Sequence, residues 1–543
     1  MSTVTNESTG YGNRFFSGVA VLAISTFIVK IIGMFYKIPM IAYLGSEGMG
    51  YFNSAYEIYS MFFVISTTGI PVALSILISE NKAKNRFSNI KKIYRLSLIL
   101  LGAIGLLGTV IMAVFYNRLS ALINNDLAAL SILAISPTLF MICISSAIRG
   151  YFQGNEIMVP TAVSQIIEAL GKLLLGLGFA IIAIKRGYDT PRIASFAVFG
   201  ITVGVAASLL YLMLYKLFYK MKSKCSADSI INQTEPSKII IKNILSIAIP
   251  ITISSTILGL TKIIDMLMIL TRLGSIGYSQ EQSNAIYGSY STMAISIYNL
   301  PSTFVSAIAL PLVPMLTGAI ETNNKPKEKK SINIAFKITA LIAFPAGLGI
   351  SVFSKSILRL LFSSQKSEIE YVAPLLSLLG LSVFLTAMIT TTNAILQSYK
   401  LATKPIISMI VGILIKIALA HTLIGIPKIN IYGAPISTFI STIAIVALNS
   451  YFILKASGSI DSVFKLFALP FIAASISVVI GIAFNLISAS LFSERIAILI
   501  VIIVVAISYL FAILKLKILN EDELSMLPKG PKIISILKKL NLI

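Results

Sequence analysis

The sequence predicts an all-α, polytopic membrane protein of fourteen transmembrane helices, arranged as two six-helix lobes with two further helices at the C-terminal end. Three observations predict it. Of 543 residues, 56% are hydrophobic and only 12% charged, and the mean hydropathy of +0.90 is far above that of a water-soluble domain. Apolar runs long enough to cross hydrocarbon as helix, about 20 residues each, follow one another along the chain. Finally, short motifs of the first half return in the second, the mark of a duplicated bundle.

The runs lie at 15–44, 52–79, 93–115, 127–148, 158–184, 193–219, 241–271, 285–319, 332–353, 371–396, 405–425, 431–454, 466–488 and 496–514. Each is ended by polar, Gly or Pro residues that cannot stay in lipid or continue a helix. In the first half these are Gly45-Ser46-Glu47-Gly48 after span 1, the basic stretch Lys82 to Arg86 after span 2, Asn124-Asn125-Asp126 before span 4, Gly154-Asn155-Glu156 with Pro160 before span 5, and Arg186-Gly187 after it. The polar stretch 220–238 follows span 6. Beyond it, Gly274 and Gly277 close span 7, the basic loop 321–331 closes span 8, and Ser363-Ser364-Gln365-Lys366 precedes span 10. Lys404-Pro405, Pro427-Lys428, Lys455 with Gly458, and Ser493-Glu494-Arg495 punctuate the remainder.

The net charge of +23 would suit a nucleic-acid partner only if a folded domain gathered it, and none is predicted. Topology accounts for it instead. With the N-terminus in the cytoplasm, inner segments hold 28 Lys and Arg against 10 in outer segments, the asymmetry of the positive-inside rule, which places both termini in the cytoplasm. Residues 1–14 carry no signal-peptide pattern, so the first run reads as an uncleaved helix. Cys143 and Cys225, one in a helix and one in a cytoplasmic loop, predict no disulfide. Trp is absent, leaving Tyr for the interfacial belts, with Tyr43, Tyr51, Tyr56 and Tyr59 around the first outer turn.

Leu44-Gly45-Ser46-Glu47-Gly48 after span 1 is echoed by Leu273-Gly274-Ser275-Ile276-Gly277 after span 7, and Gln153 and Lys172 by Gln397 and Lys416. Six spans separate each pair, so the repeats are parallel, with a cleft expected between two bundles. The expected domains are an N-terminal lobe at 1–219, a cytoplasmic linker at 220–240, a C-terminal lobe at 241–455, spans 13 and 14 at 456–515, and a cytoplasmic tail at 516–543. In that tail Ile533, Leu537 and Leu540 have helical spacing beside Lys538 and Lys539, which fits either a helix on the inner leaflet or a solvated basic tail.

Lys30, Lys37, Lys172, Lys262 and Lys416 lie inside membrane spans, against three carboxylates at comparable depth, Glu57, Glu168 and Asp265. A Lys at the bilayer centre costs roughly 2.5–3.5 kcal/mol on insertion scales, so such residues face protein or a wet cavity. The excess of ammonium groups points to an anionic cargo, phosphate above all. Lys30 lies about 22 Å along span 1, near mid-membrane, with Lys37 two turns beyond on the same face. Two readings stand for Lys37, a phosphate ligand or a snorkelling residue. Two stand for Lys172, a cargo ligand or one half of an (i, i+4) pair with Glu168. Lys262 and Asp265 are similarly three apart; Asp265 is also the candidate site for a coupling Na+ or H+. Span 11 holds no acid for Lys416, so its counter-charge comes from elsewhere in the protein, water or cargo. Pro39, Pro71, Pro250, Pro301, Pro311 and Pro314 are candidate bends.

Enzyme signatures are missing: His421 is the only His, no Cys pair has metal spacing, and no Gly-rich phosphate loop leads into Lys-Ser/Thr. A multidrug cation antiporter would need carboxylates in its cavity, and they are few. A membrane enzyme or scaffold of cell-wall glycan assembly is the remaining alternative, the enzyme disfavoured by scattered acids.

Arg149-Gly150-Tyr151-Phe152-Gln153-Gly154, with Met158-Val159-Pro160-Thr161-Ala162 and Ser164-Gln165, resembles the polysaccharide-transporter branch of the multidrug/oligosaccharidyl-lipid/polysaccharide (MOP) exporter superfamily. More narrowly, the chain resembles the MurJ-type and stage V sporulation protein B-like lipid II flippases. Ser66-Thr67-Thr68-Gly69-Ile70-Pro71-Val72-Ala73, Asn299-Leu300-Pro301-Ser302 and Leu310-Pro311-Leu312-Val313-Pro314 carry the same resemblance. It implies a MATE-like arrangement of two lobes, alternating access, no cofactor, and export of an undecaprenyl-pyrophosphate-linked glycan such as lipid II, in contact with the cell-wall synthesis machinery. Lys30 and Lys37 match the family's cavity cations on its first helix, and Lys172, Lys416, Arg14 and Asn299 complete the expected substrate-binding set. Some relatives carry Arg on helices 2 and 8, where this chain has Glu57 and Asn299. Some bind sodium between an acid on helix 7, which Asp265 matches, and oxygens on helix 11, where Lys416 stands. The resemblance further implies a groove for the polyprenyl tail at spans 13 and 14.

Overall fold

The structure, a computed structural model, describes residues 4–222, 234–458, 464–516 and 518, with side chains at 4–20 and a few further positions excepted. The described residues are helical throughout and contain no strand. They form two compact units, 1–292 and 293–543.

The first unit begins with α1 (Val4–Thr67), two membrane helices joined at Gly45. Its φ of 68° with ψ of 177° lies where only glycine is unstrained, so a single residue reverses the chain and the helix resumes at once. Next come α2 (Gly69–Ala83), α3 (Phe87–Val114), α4 (Tyr116–Leu122), α5 (Ala129–Gly154), α6 (Val159–Lys185), α7 (Thr190–Lys222), α8 (Ser237–Ser275) and α9 (Gln280–Ser289). Within this unit α6 packs along α7, α5 against α3 and α7, and α9 against α1. The α1–α9 contact needs glycine at Gly50 and Gly288, because an added Cβ would collide with the Asn284 carbonyl oxygen and with that of Ser46, respectively. Around it Asn125 and Asn284 exchange side-chain amide bonds at 2.7 and 3.0 Å, Asn125 also donates to Ser54 Oγ at 2.9 Å, and Asn53 donates to Thr292 Oγ1 at 2.8 Å. A capping box, Ser279 with Gln282, starts α9.

The second unit comprises α10 (Ile295–Tyr298), α11 (Leu300–Glu321), α12 (Lys325–Val352), α13 (Ser354–Leu361), α14 (Lys366–Ser398), α15 (Thr403–Ile424), α16 (Gly433–Ser457), α17 (Leu469–Leu491) and α18 (Glu494–Lys515). Its α14 packs against α11, α12 and α16, and α17 pairs with α18 and lies on α12. Phe336, Met388, Ile395, Leu396 and Ile453 form one buried cluster, and Phe353, Val478, Ile498 and Val501 another.

Among the described residues twelve helices are long and apolar enough to cross a membrane, where the sequence predicts fourteen. Spans 1 and 2, joined at Gly45 without an intervening loop, count once. Span 8 comprises α9, a π-turn at Tyr290–Ala294, α10 and α11, and α11 runs over positions whose side chains are not described. The loop expected at 321–331 is shorter than predicted, because α12 already starts at Lys325, with Asn324 Oδ1 accepting from Lys327 N at 3.0 Å. Most of the linker and nearly all of the tail lie outside the described residues.

Candidate substrate site

The hairpin of α1 folds its two arms against α6 and α8, and four of the five intramembrane lysines fall in this one unit. Lys37 donates to the backbone oxygen of Ser291 at 3.4 Å, inside the π-turn, where the widened ring frees carbonyls. It lies in electrostatic range of Glu57 and Lys262. Lys30, on the accessible side of α1, is in range of Lys262 as well. Lys172 of α6 is in range of Lys37, Lys262, Glu57 and Glu168. Three ammonium groups thus lie in range of Lys262, while Glu57 Oε2 is buried and makes no hydrogen bond among the described residues. Glu57 offsets part of the mutual repulsion of these cations.

The (i, i+4) reading of Lys172 with Glu168 is corrected by the structure. Glu168 Oε2 accepts from Arg149 Nη2 at 2.9 Å. Arg149 also donates to Ser164 Oγ at 2.9 Å and Ser208 Oγ at 3.1 Å, tying α5, α6 and α7 together. The Lys172 ammonium rests on aromatic faces instead, 4.1 Å from the centroid of Tyr56, 5.2 Å from Tyr36 and 6.0 Å from Phe52. Neither the aromatic cage nor the Arg149 network was visible as such in the sequence. Arg149 falls at a predicted span end and counts there as a cytoplasmic charge, yet α5 continues to Gly154 and its guanidinium is only 12% exposed. Tyr51 and Tyr59 are likewise buried rather than interfacial, Tyr51 donating to Glu47 Oε1 at 2.8 Å; Tyr43 alone of the four is exposed.

Asp265 is half-buried on α8, in electrostatic range of Tyr287 of α9. Two expected site residues belong to the second unit: Lys416 is buried in α15, and Asn299 is exposed at the junction of α10 and α11. The backbone of Arg14 is in α1, and its side chain lies outside the described residues.

An all-helical chain with many membrane-length helices defines a polytopic membrane protein. The chain belongs to the polysaccharide biosynthesis protein family, which it matches over residues 15–320, and it matches the MatE family over 278–422. Stage V sporulation protein B of Bacillus subtilis (strain 168) is 25% identical over 520 residues, 95% of this chain and 98% of that protein. Lipid II flippase MurJ of the same organism is 25% identical over 462 residues, covering 82% and 84%. Two solved structures share the fold. An inward-facing multidrug resistance MATE family transporter of the MOP superfamily superposes with a TM-score of 0.67 at 16% identity, covering 81% of this chain and 99% of that one. Lipid II flippase MurJ in an inward closed conformation gives 0.66 at 17%, covering 91% and 98%. The protein is accordingly a polytopic membrane protein of the polysaccharide biosynthesis protein family, with the fold of these solved transporters.

Proposed function

We propose that this protein moves an undecaprenyl-pyrophosphate-linked glycan, lipid II foremost, from the inner to the outer leaflet of a bacterial plasma membrane by alternating access, without covalent change to it. The observation that carries this reading is the cluster of Lys30, Lys37 and Lys262, in which Lys30 and Lys37 each lie within electrostatic reach of Lys262. Phosphate oxygens are the ligand for which such donors are suited, and a pyrophosphate can engage several at once. Lys37 gives up its bond to Ser291 as the phosphate arrives. The similarity to a protein named as a lipid II flippase supports the choice of cargo.

The membrane potential can drive the step. One charge crossing 100 mV is worth about 2.3 kcal/mol, so a headgroup of about two negative charges gains about 4–5 kcal/mol on leaving a negative interior. A coupling ion at Asp265 would add to this.

A second reading, export of cationic drugs, draws on the match to the MatE family and on Glu57, a carboxylate among aromatic rings. Complementation separates the two. A strain depleted of its lipid II flippase should grow when it expresses this protein and fail with Lys37→Gln at equal membrane abundance. Growth failure with the unaltered chain, together with drug efflux from the same cells, would favour the second reading.

A further inference from the structure

Three aromatic rings around one cation is the arrangement by which proteins take quaternary ammonium ligands, through the negative faces of the rings. Here the rings come from both arms of the α1 hairpin, Tyr36 from before the Gly45 reversal and Phe52 and Tyr56 from after it. Phe52 lies 6.0 Å from Tyr36 and 6.4 Å from Tyr56, centroid to centroid, so the three form a continuous wall. Tyr36 and Phe52 are each 1% exposed, and the buried Tyr36 hydroxyl makes no hydrogen bond among the described residues, so what this ring offers its neighbour is its face. The occupant is supplied by the chain itself. The Lys172 side chain enters from α6 and brings its ammonium within 4.1–6.0 Å of all three centroids.

We propose that Lys172 is a specificity residue, a tethered ammonium that fills an aromatic cage which would otherwise bind alkylammonium ligands from outside the chain. The surroundings fit a cation. Glu57 and Glu168 both act on the Lys172 position; Glu168 is engaged by Arg149, whereas Glu57 Oε2 is buried without a hydrogen-bond partner among the described residues. With its own ammonium 4.1 Å from the Tyr56 centroid, the face a second cation would use is taken, and Lys37 and Lys262 repel one further. The plug therefore biases the site away from cations without itself needing to touch an anion. This stands on the cage alone and holds whichever anion is carried.

The probe is n-propylammonium, whose three-carbon chain and ammonium head are the groups removed in Lys172→Ala. Calorimetric titration of the purified full-length protein in detergent should show about tenfold tighter binding to Lys172→Ala than to the unaltered chain, and the gain should vanish in Lys172→Ala with Tyr56→Leu. Lys172→Arg, which keeps a cation in the cage, should show no gain. Should the alanine variant fail to fold, Lys172→Ser leaves the same space and is expected to gain binding likewise. Binding to a folded alanine or serine variant no tighter than to the unaltered chain would overturn the proposal. So would a gain that Tyr56→Leu leaves intact.

Discussion

Replacing Arg149 by Ala tests whether the α5–α6–α7 core is held by one guanidinium. The side chain makes three hydrogen bonds, to Glu168 at 2.9 Å, Ser164 at 2.9 Å and Ser208 at 3.1 Å, and is 12% exposed. Hydrogen bonds to charged groups contribute about 1.5–3 kcal/mol, and breaking a buried ion pair costs about 3–5 kcal/mol because the surviving charge is stranded. Glu168 is 30% exposed and Lys172 lies in range, so solvent and a second cation recover part of that loss. The expected net cost is about 3 kcal/mol. Glu168→Gln in the same background removes the stranded charge and should return about 1 kcal/mol or more. The assay uses the chain's own chemistry. The protein has no Trp and two Cys, and Cys143 is fully buried, so in a Cys225→Ser background a thiol-reactive dye reports unfolding as Cys143 becomes exposed. If Arg149→Ala melts with the unaltered protein, or Glu168→Gln does not change its deficit, the reasoning about this network fails.

Three further outcomes are expected. Gly45→Ala forces a side chain into the φ +68° geometry and should destabilise by about 1–3 kcal/mol, read by the same thermal assay. Asn284→Leu leaves the buried Asn125 Oδ1 without its donor, while Nδ2 keeps Ser54 Oγ, and should cost about 1–3 kcal/mol, with Asn125→Leu in addition recovering part of it, since that stranded oxygen is then gone. Glu321 pairs with Lys400 at 2.7 Å, and that ammonium holds its carboxyl below the ordinary carboxylate range. A depressed folded-state value means the pair stabilises at pH above the unfolded carboxyl's value and loses this as the pH falls through the folded one. Lys400→Ala should flatten that acid-side slope of the melting temperature slightly, both groups being exposed.

The architecture was legible because lipid leaves the backbone no choice but helix, so apolar length and polar punctuation mark the spans directly. The packing of Lys37 and Lys172 against protein was legible for the same reason, whereas Lys30 and Lys262, expected to face protein or a wet cavity, are exposed. What escaped is set by contacts distant in sequence. Arg149 reads as a loop charge until Glu168 and Ser208, 19 and 59 residues away, come within reach. Tyr36 and Tyr56 read as helix and belt residues until the Gly45 hairpin turns them toward Lys172, and Glu168 four residues before Lys172 reads as its partner until Arg149 takes it. The π-turn at Tyr290–Ala294 has no apolar signature, because its residues suit an α-helix equally well.

The central claim is that lysines of the first unit carry a pyrophosphate headgroup outward. Its most direct test is flipping of a fluorescent polyprenyl-pyrophosphate glycan by purified protein in proteoliposomes, with the interior held about 100 mV negative by a potassium gradient. The account predicts outward movement that the potential accelerates and that Lys37→Gln slows by about tenfold or more, since one charge-assisted bond to phosphate is lost. Movement at the unaltered rate in Lys37→Gln and in Lys30→Gln, or movement indifferent to the potential, would contradict it.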